Sequence, residues 1–199
     1  MCYNIRRNIR YADSCGSWRF PETPGPAEGG GSLRVFGIDP GYAIVGCGVV
    51  DCDRGKYRLA EYGAITTPAG TEMGQRLVTI YDQLSFALEK YKPEAVAIEQ
   101  LFATHNQTTV MGVAQARGVI LLCCQQQGLP VYEYTPMQVK MAVVGYGNAE
   151  KHQVMEMTKN LLGLTEIPKP DDAADALAIA ICHGNVGGSA LFRKKLQMR

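Results

Sequence analysis

Four acids, Asp39, Glu99, Asp172 and Asp175, are the residues of this chain best placed to do chemistry together. Asp39 closes the apolar run "VFGI" and is followed at once by Pro40 and Gly41. An aspartate is poorly suited to strand pairing, Pro40 has no N–H for a ladder, and Gly41 permits the turn that follows. Glu99 ends the short apolar run "AVAI" in the same way. Asp172 and Asp175, in "PDDAADALAIA", are i and i+3 and so share one face of a helix. Each acid alone has an ordinary explanation. Asp39 reads as a turn residue, Glu99 as a strand end, and Asp171 or Asp172 as a helix cap favoured by the macrodipole. Asp175 lies deeper than capping requires, and four acids from three distant segments can converge.

Converging carboxylates repel one another, and each resists ionisation unless a positive charge sits between them. A hard divalent cation supplies that charge, and an oxygen-only donor set selects Mg²⁺ or Mn²⁺ over zinc. Four carboxylates can hold two ions, one carboxylate bridging. Two ions roughly 3.5–4 Å apart are the arrangement for in-line attack on a phosphodiester: one lowers the pKa of the attacking water and the other stabilises the leaving oxygen.

The elements that must position these acids are legible along the chain. Three strands follow closely after Leu33, at 33–39, 46–52 and 57–66, and spacings this short suit antiparallel hairpins. A helix is predicted from Met73 to Tyr91, where Leu77, Ile80, Tyr81, Leu84, Leu88 and Tyr91 form one apolar stripe. A strand at 95–100 comes next, then a helix at 108–127 stopped by Gly128-Leu129-Pro130. "VYEYT", 131–135, is a further strand, and Pro136 opens a short helix broken at Gly145-Tyr146-Gly147. Helices at 150–162 and 172–182 complete the order β-β-β-α-β-α-β-α-α-α. In the last of them Ala174, Leu177, Ala178 and Ile181 read as a single apolar stripe opposite the acids. The class is α/β, a mixed sheet flanked by helices. If the strands ending in Asp39 and Glu99 are parallel neighbours, both acids lie at the carboxyl edge that ligand sites favour.

Composition bounds the rest. A chain of 199 residues is one domain or a domain with a tail, and 46% hydrophobic residues is ample for a core. Residues 1–32 end in "PETPGPAEGGGS" and read as a flexible or extended lead-in. That segment holds four basic and three acidic residues, which leaves the remainder neutral. A neutral chain can still bind phosphate through local patches. A second reading treats the lead-in as untranslated: Glu28-Gly29-Gly30-Gly31 is what a purine-rich ribosome-binding site would encode, with Leu33 as the start. The folded domain is expected over 33–185 and a flexible basic tail over 186–199, where Arg193, Lys194 and Lys195 read as a solvated end. Seven cysteines without a C-x-x-C pair suggest neither a disulfide framework nor a zinc site, so the expected compartment is the reducing cytoplasm. No apolar run is long enough to span a membrane, and a secretory h-region is lacking. Four arginines before position 20 are compatible with a transit peptide, and three acids argue against one.

From about Leu33 to His183 the chain resembles the RuvC-type Holliday junction resolvases. The likeness rests on six motifs in order: "GIDPG" (37–41), "AIEQLF" (97–102), "AQARGV" (114–119), "VYEYTPMQVK" (131–140), "VVGYGNAEKHQV" (143–154) and "DDAADALAIAICH" (171–183). The resemblance implies a ribonuclease H-like fold, a homodimer, Mg²⁺ dependence and symmetric nicking of four-way junction DNA. It also implies that Asp39, Glu99, Asp172 and Asp175 are the metal-binding catalytic acids, and that a branch-migration motor is a partner. Two positions depart from the family pattern. Asn148 stands where a basic residue is expected, and His105 where lysine or asparagine is more usual.

Three residues are candidates for contact with DNA. Lys140 and Lys151 flank the "VVGYG" break, and a lysine near a phosphate contributes affinity by releasing counterions. Phe102, in the polar loop "FATHNQTT", can stack on an unpaired base; the alternative for Phe102 is a loop anchor, and for the lysines plain solvated surface. Competing functions are a ribonuclease H-like nuclease acting on RNA or another branched nucleic acid, an actin-like or sugar-kinase ATPase, and a junction-binding scaffold without activity. The ATPases need a duplicated domain and a second phosphate loop that this chain lacks, and a scaffold would not need all four acids.

Overall fold

A computed structural model describes residues 32–100 and 107–187. Three strands come first: β1 (Leu33–Asp39), β2 (Ile44–Asp53) and β3 (Lys56–Thr66). Helix α1 (Met73–Tyr91) leads into β4 (Ala95–Glu99), and α2 (Gln107–Gln126) into β5 (Val131–Tyr134). Three helices close the chain: α3 (Pro136–Val143), α4 (Lys151–Leu161) and α5 (Asp171–Gly187). The predicted order holds throughout, and the bounds of α1 are as expected.

The five strands form one sheet in the order β3-β2-β1-β4-β5. β1 pairs antiparallel with β2, and β2 with β3. β1 pairs parallel with β4, and β4 with β5. The hairpin β2–β3 is longer than its sequence suggests because Ile44 already pairs with Thr66.

Strand alternation divides the core into two layers. Phe36, Ile38, Val96 and Ile98 face α1 and α2, where Ile80, Leu84, Leu88, Ile120 and Cys124 meet them. Val35 and Ala97 face the other way, toward α3, α4 and α5. The predicted stripe on α1 is buried as expected at Ile80, Leu84, Leu88 and Tyr91.

Helix α5 departs from its predicted form. It was expected to be amphipathic, with Ala174, Leu177, Ala178 and Ile181 on one face. Ala173, Ala176, Ile179 and Ala180 are buried as well, so the helix is enclosed nearly all round. Its physical basis is close docking. A Cβ built on Gly37 would lie 2.0 Å from the carbonyl oxygen of Ala176, and one on Gly46 2.0 Å from that of Asp172. The helix backbone rests directly on β1 and β2, which only glycine allows there. α5 also continues to Gly187, two residues past the expected end of the folded domain.

Candidate active site

The site begins with strand geometry. β1 and β4 are parallel neighbours in the register Ile38↔Ile98, so Asp39 and Glu99 follow side by side at one edge of the sheet. Alternation decides which face they take. Val35 and Gly37 contact the α5 layer, and Asp39 continues their series. Ala97 belongs to the same layer, and Glu99 continues it.

The remaining acids arrive on α5. Asp39 is paired with Gly46 across the β1–β2 ladder, and the backbone of Asp172 lies over Gly46. The first turn of the helix is therefore set down beside Asp39 with no side chain in between. Asp175, three residues on, shares that face.

Burial and mutual repulsion have a large effect here. The Asp39 carboxyl is pushed up to about 7, first by desolvation and then by Glu99, Asp175 and Asp172, with Lys151 pulling the other way. Glu99 is also raised, by burial and by Asp175. Asp175 is raised by burial against the opposing pull of Lys151. The four predicted acids thus form one electrostatic unit. Among the described residues no three acidic, histidine or cysteine side chains already close around a common point, and the positive group present is Lys151, whose Nζ lies 2.9 Å from Asp175 Oδ2. The donor set is oxygen-only, half-buried and self-repelling, and it fits hard divalent cations.

A cavity of about 180 Å³ opens beside these groups, lined by Glu99, Asp175, Lys140 and Lys151 and walled by apolar side chains such as Val139 and Val154. Both predicted lysines therefore border the same hollow as two of the acids. Lys140 comes from α3, whose start is fixed by a capping box: the Gln138 N–H donates to Thr135 Oγ1 at 3.1 Å and the Thr135 N–H to Gln138 Oε1 at 2.8 Å. Phe102 and His105 lie outside the described residues. Asn148 is exposed in the turn between α3 and α4.

Two supporting devices escaped sequence reasoning. Tyr134, the register partner of Glu99, is buried, and its hydroxyl lies 2.7 Å from Nδ1 of the buried His183 on α5. Strand end and helix are thereby tied below the acids. Tyr42, three residues beyond Asp39, packs between the Arg76 guanidinium, 4.6 Å from its ring centroid, and Gly112 of α2. Buried Arg76 also donates to the Thr67 and Pro68 carbonyls. Nothing local in the sequence pairs Tyr42 with Arg76 or Tyr134 with His183.

Residues 35–183 match the family model for crossover junction endodeoxyribonuclease RuvC. The chain belongs to that family. A RuvC relative from Fusobacterium nucleatum is 54% identical over 159 residues, covering 80% of this chain and 84% of its own. One from Brevibacillus brevis is 56% identical over 151 residues, covering 76% and 91%. Among solved structures, Thermus thermophilus RuvC superposes with a TM-score of 0.73 at 38% identity, covering 78% of this chain and 95% of that one. The same protein in complex with a Holliday junction substrate gives 0.72 at 35% identity, with the same coverage. The yeast mitochondrial Holliday junction resolvase, 13% identical with a TM-score of 0.60, shares the fold. The RuvC fold is thus the expected ribonuclease H-like mixed sheet, and family membership makes the chain a nuclease. No helix among the described residues is long and apolar enough to cross a membrane.

Proposed function

We propose that this chain resolves four-way DNA (Holliday) junctions by paired symmetric nicks, with Asp39, Glu99, Asp172 and Asp175 holding two Mg²⁺ ions. The observation that supports the reading is the electrostatic coupling of carboxylates from β1, β4 and α5 at one sheet edge, where burial and then Glu99, Asp175 and Asp172 push Asp39 up to about 7. Self-repelling acids beside an open cavity would be relieved by a bound cation, which supports the reading. When bound, divalent ions supply water activation and stabilisation of the leaving oxygen; Mn²⁺ has the same ligand preference and would substitute.

The chain's own residues do the rest. Lys140 and Lys151 border the cavity with Glu99 and Asp175, and they attract and orient a backbone phosphate there. The apolar wall at Val139 and Val154 limits water around it. Phe102 is assigned the stacking of an unpaired base on the strength of its place three residues beyond Glu99.

Two opposed nicks need two centres, which an isologous homodimer supplies by symmetry. The outer face of α2 is the proposed interface: Met111, Gln115, Gly118 and Leu122 form one exposed stripe at helical spacing. A branch-migration motor as a partner rests on family membership alone.

Nicking of a synthetic four-way junction in Mg²⁺, set against a linear duplex and an RNA–DNA hybrid, tests the reading. Paired nicks in the junction alone are expected. Preferential cleavage of the hybrid would move the chain to RNA processing, and binding without cleavage would make it a scaffold.

A further inference from the structure

A second hollow, of about 450 Å³, adjoins the first and is lined by Thr135, Pro136, Met137, Lys140 and Gly147. Pro136 and Lys140 border both hollows, so the two form one continuous surface. Met137 lines the second hollow, and two further large apolar side chains are exposed close to it in the chain. Met137 is 65% exposed, Met141 52% and Tyr146 43%. Met137 and Met141 are i and i+4 on α3 and stand over Gly147, where an added Cβ would meet Met137 Cγ at 2.9 Å and Met141 Cγ at 3.8 Å. The glycine seats both methionines. Tyr146 is its chain neighbour.

The support beneath this patch is firm. The capping box fixes the start of α3. The Cys182 thiol donates to the Gln138 carbonyl, and Asn185 Nδ2 to the Ala142 carbonyl at 2.9 Å, both from α5. The patch is thus two thioethers held on a fixed helix, with the Tyr146 ring exposed in the bend that follows it and one lysine at the inner border.

We infer that this surface is a subsite for one unpaired nucleotide next to the cleaved phosphate, with its base on Met137, Met141 and Tyr146 and its phosphate at Lys140. The inference rests on the reading of the adjacent acids as the cleavage centre. Two features select this occupant. The hollow is continuous with the catalytic cavity, so a strand entering one runs into the other. Its chemistry is apolar surface beside a single cation, which matches a base face beside its own phosphate. Thioethers are polarizable and adapt their shape, and an aromatic ring stacks on any base. The subsite therefore strengthens the hold on unpaired strand without reading its sequence.

The test is binding in chelator, where no nicking occurs. A synthetic junction is given a single abasic nucleotide, walked through the positions on either side of the crossover. Wild type, Met137→Ala/Met141→Ala and Tyr146→Ala are compared, and melting temperatures confirm that the exposed substitutions leave the fold intact. The double variant is expected to bind the intact junction about tenfold more weakly. At one position the abasic substitution should weaken wild type by a similar factor and leave the double variant unchanged. If the variants bind the intact junction like wild type, or if the two losses multiply at every position, the subsite is overturned. Binding without metal does not depend on the acids, so this failure is distinct from a failure of the nuclease reading, which loss of nicking in acid variants decides.

Discussion

Lys151 Nζ, on the first residue of α4, lies 2.9 Å from Asp175 Oδ2 on the second turn of α5. One ammonium group therefore bears on the acids collectively: it pulls down Asp175, Asp39 and Glu99 alike. Lys151 is itself more than half exposed, so it can leave Asp175 for a phosphate at little cost.

Substituting Lys151→Met should thus do two things. The three carboxyls lose the charge that lowers them, so the acidic limb of the nicking profile moves to higher pH. Junction binding weakens, and the slope of log affinity against log salt falls by about one. A pH–rate series and a salt titration check both outcomes, and an unmoved pH limb would disconnect Lys151 from the acids.

Asp39→Asn should abolish nicking, keep junction binding and stabilise the fold above neutral pH. The sign follows from linkage. An aspartate raised from 3.8 to about 7 on folding binds its proton more tightly in the native state, so stability is lost as pH rises through that interval. Removing the charge restores about 1–3 kcal/mol at pH 8 in chelator, at 1.4 kcal/mol per unit discounted for relaxation. Thermal unfolding of the two proteins at pH 5 and pH 8 measures this. Glu99→Gln, Asp172→Asn and Asp175→Asn should likewise lose nicking and keep binding.

Divalent affinity should depend on pH for the same reason. A cation competes with the proton on Asp39, so the apparent Mg²⁺ or Mn²⁺ affinity rises with pH below about 7 and levels off above it. Calorimetric titration of metal into the protein at pH 6, 7 and 8 reads it directly. An affinity flat across that range would separate Asp39 from the metal.

Gly46→Ala should be among the most damaging single-methyl changes. The new Cβ meets the carbonyl oxygen of Asp172 at 2.0 Å, and backbone cannot step aside as a side chain can. A loss of about 1–3 kcal/mol or more is expected, with nicking falling further because the first turn of α5 is displaced. Gly74→Ala is the control. Its Cβ meets nothing within 4 Å, and in a helix the change should be neutral or stabilising by up to about 1 kcal/mol.

Leu122→Glu should convert the protein to a monomer that no longer makes paired nicks, because an exposed apolar position on the proposed α2 interface becomes charged. Sedimentation velocity, run beside a paired-nick assay, reports both. A dimer that survives the change would move the interface elsewhere.

Much of this was legible in the sequence, and the reason differs by element. The stripe Leu77 to Tyr91 gave α1 because one helix face is buried and the other is not. Asp39 and Glu99 stood out because an acid at the end of an apolar strand is locally costly. Helix α5 was misread as amphipathic because its alanines are small enough to be enclosed on several sides, and periodicity cannot separate an alanine facing solvent from one facing a glycine. Gly37 and Gly46 carried no local signal, since their purpose is set by a helix more than 120 residues away in the chain. The Tyr134–His183 tie was hidden for a similar reason, its partners standing 49 residues apart.

The alternation that sends Asp39 and Glu99 to the α5 face has an arithmetical consequence. Two strands must reach their acids with the same parity, counted from the residues they share in register, Val35↔Ala95 through Ile38↔Ile98. Inserting or deleting one residue within either strand inverts the phase of its acid and points the carboxylate at α1 and α2 instead. Conservative replacements at Val35, Phe36 or Val96 leave the phase untouched. The centre is therefore protected against exchange of letters and defenceless against a change in their number, and natural variation in length has to be confined to turns such as the one between β2 and β3.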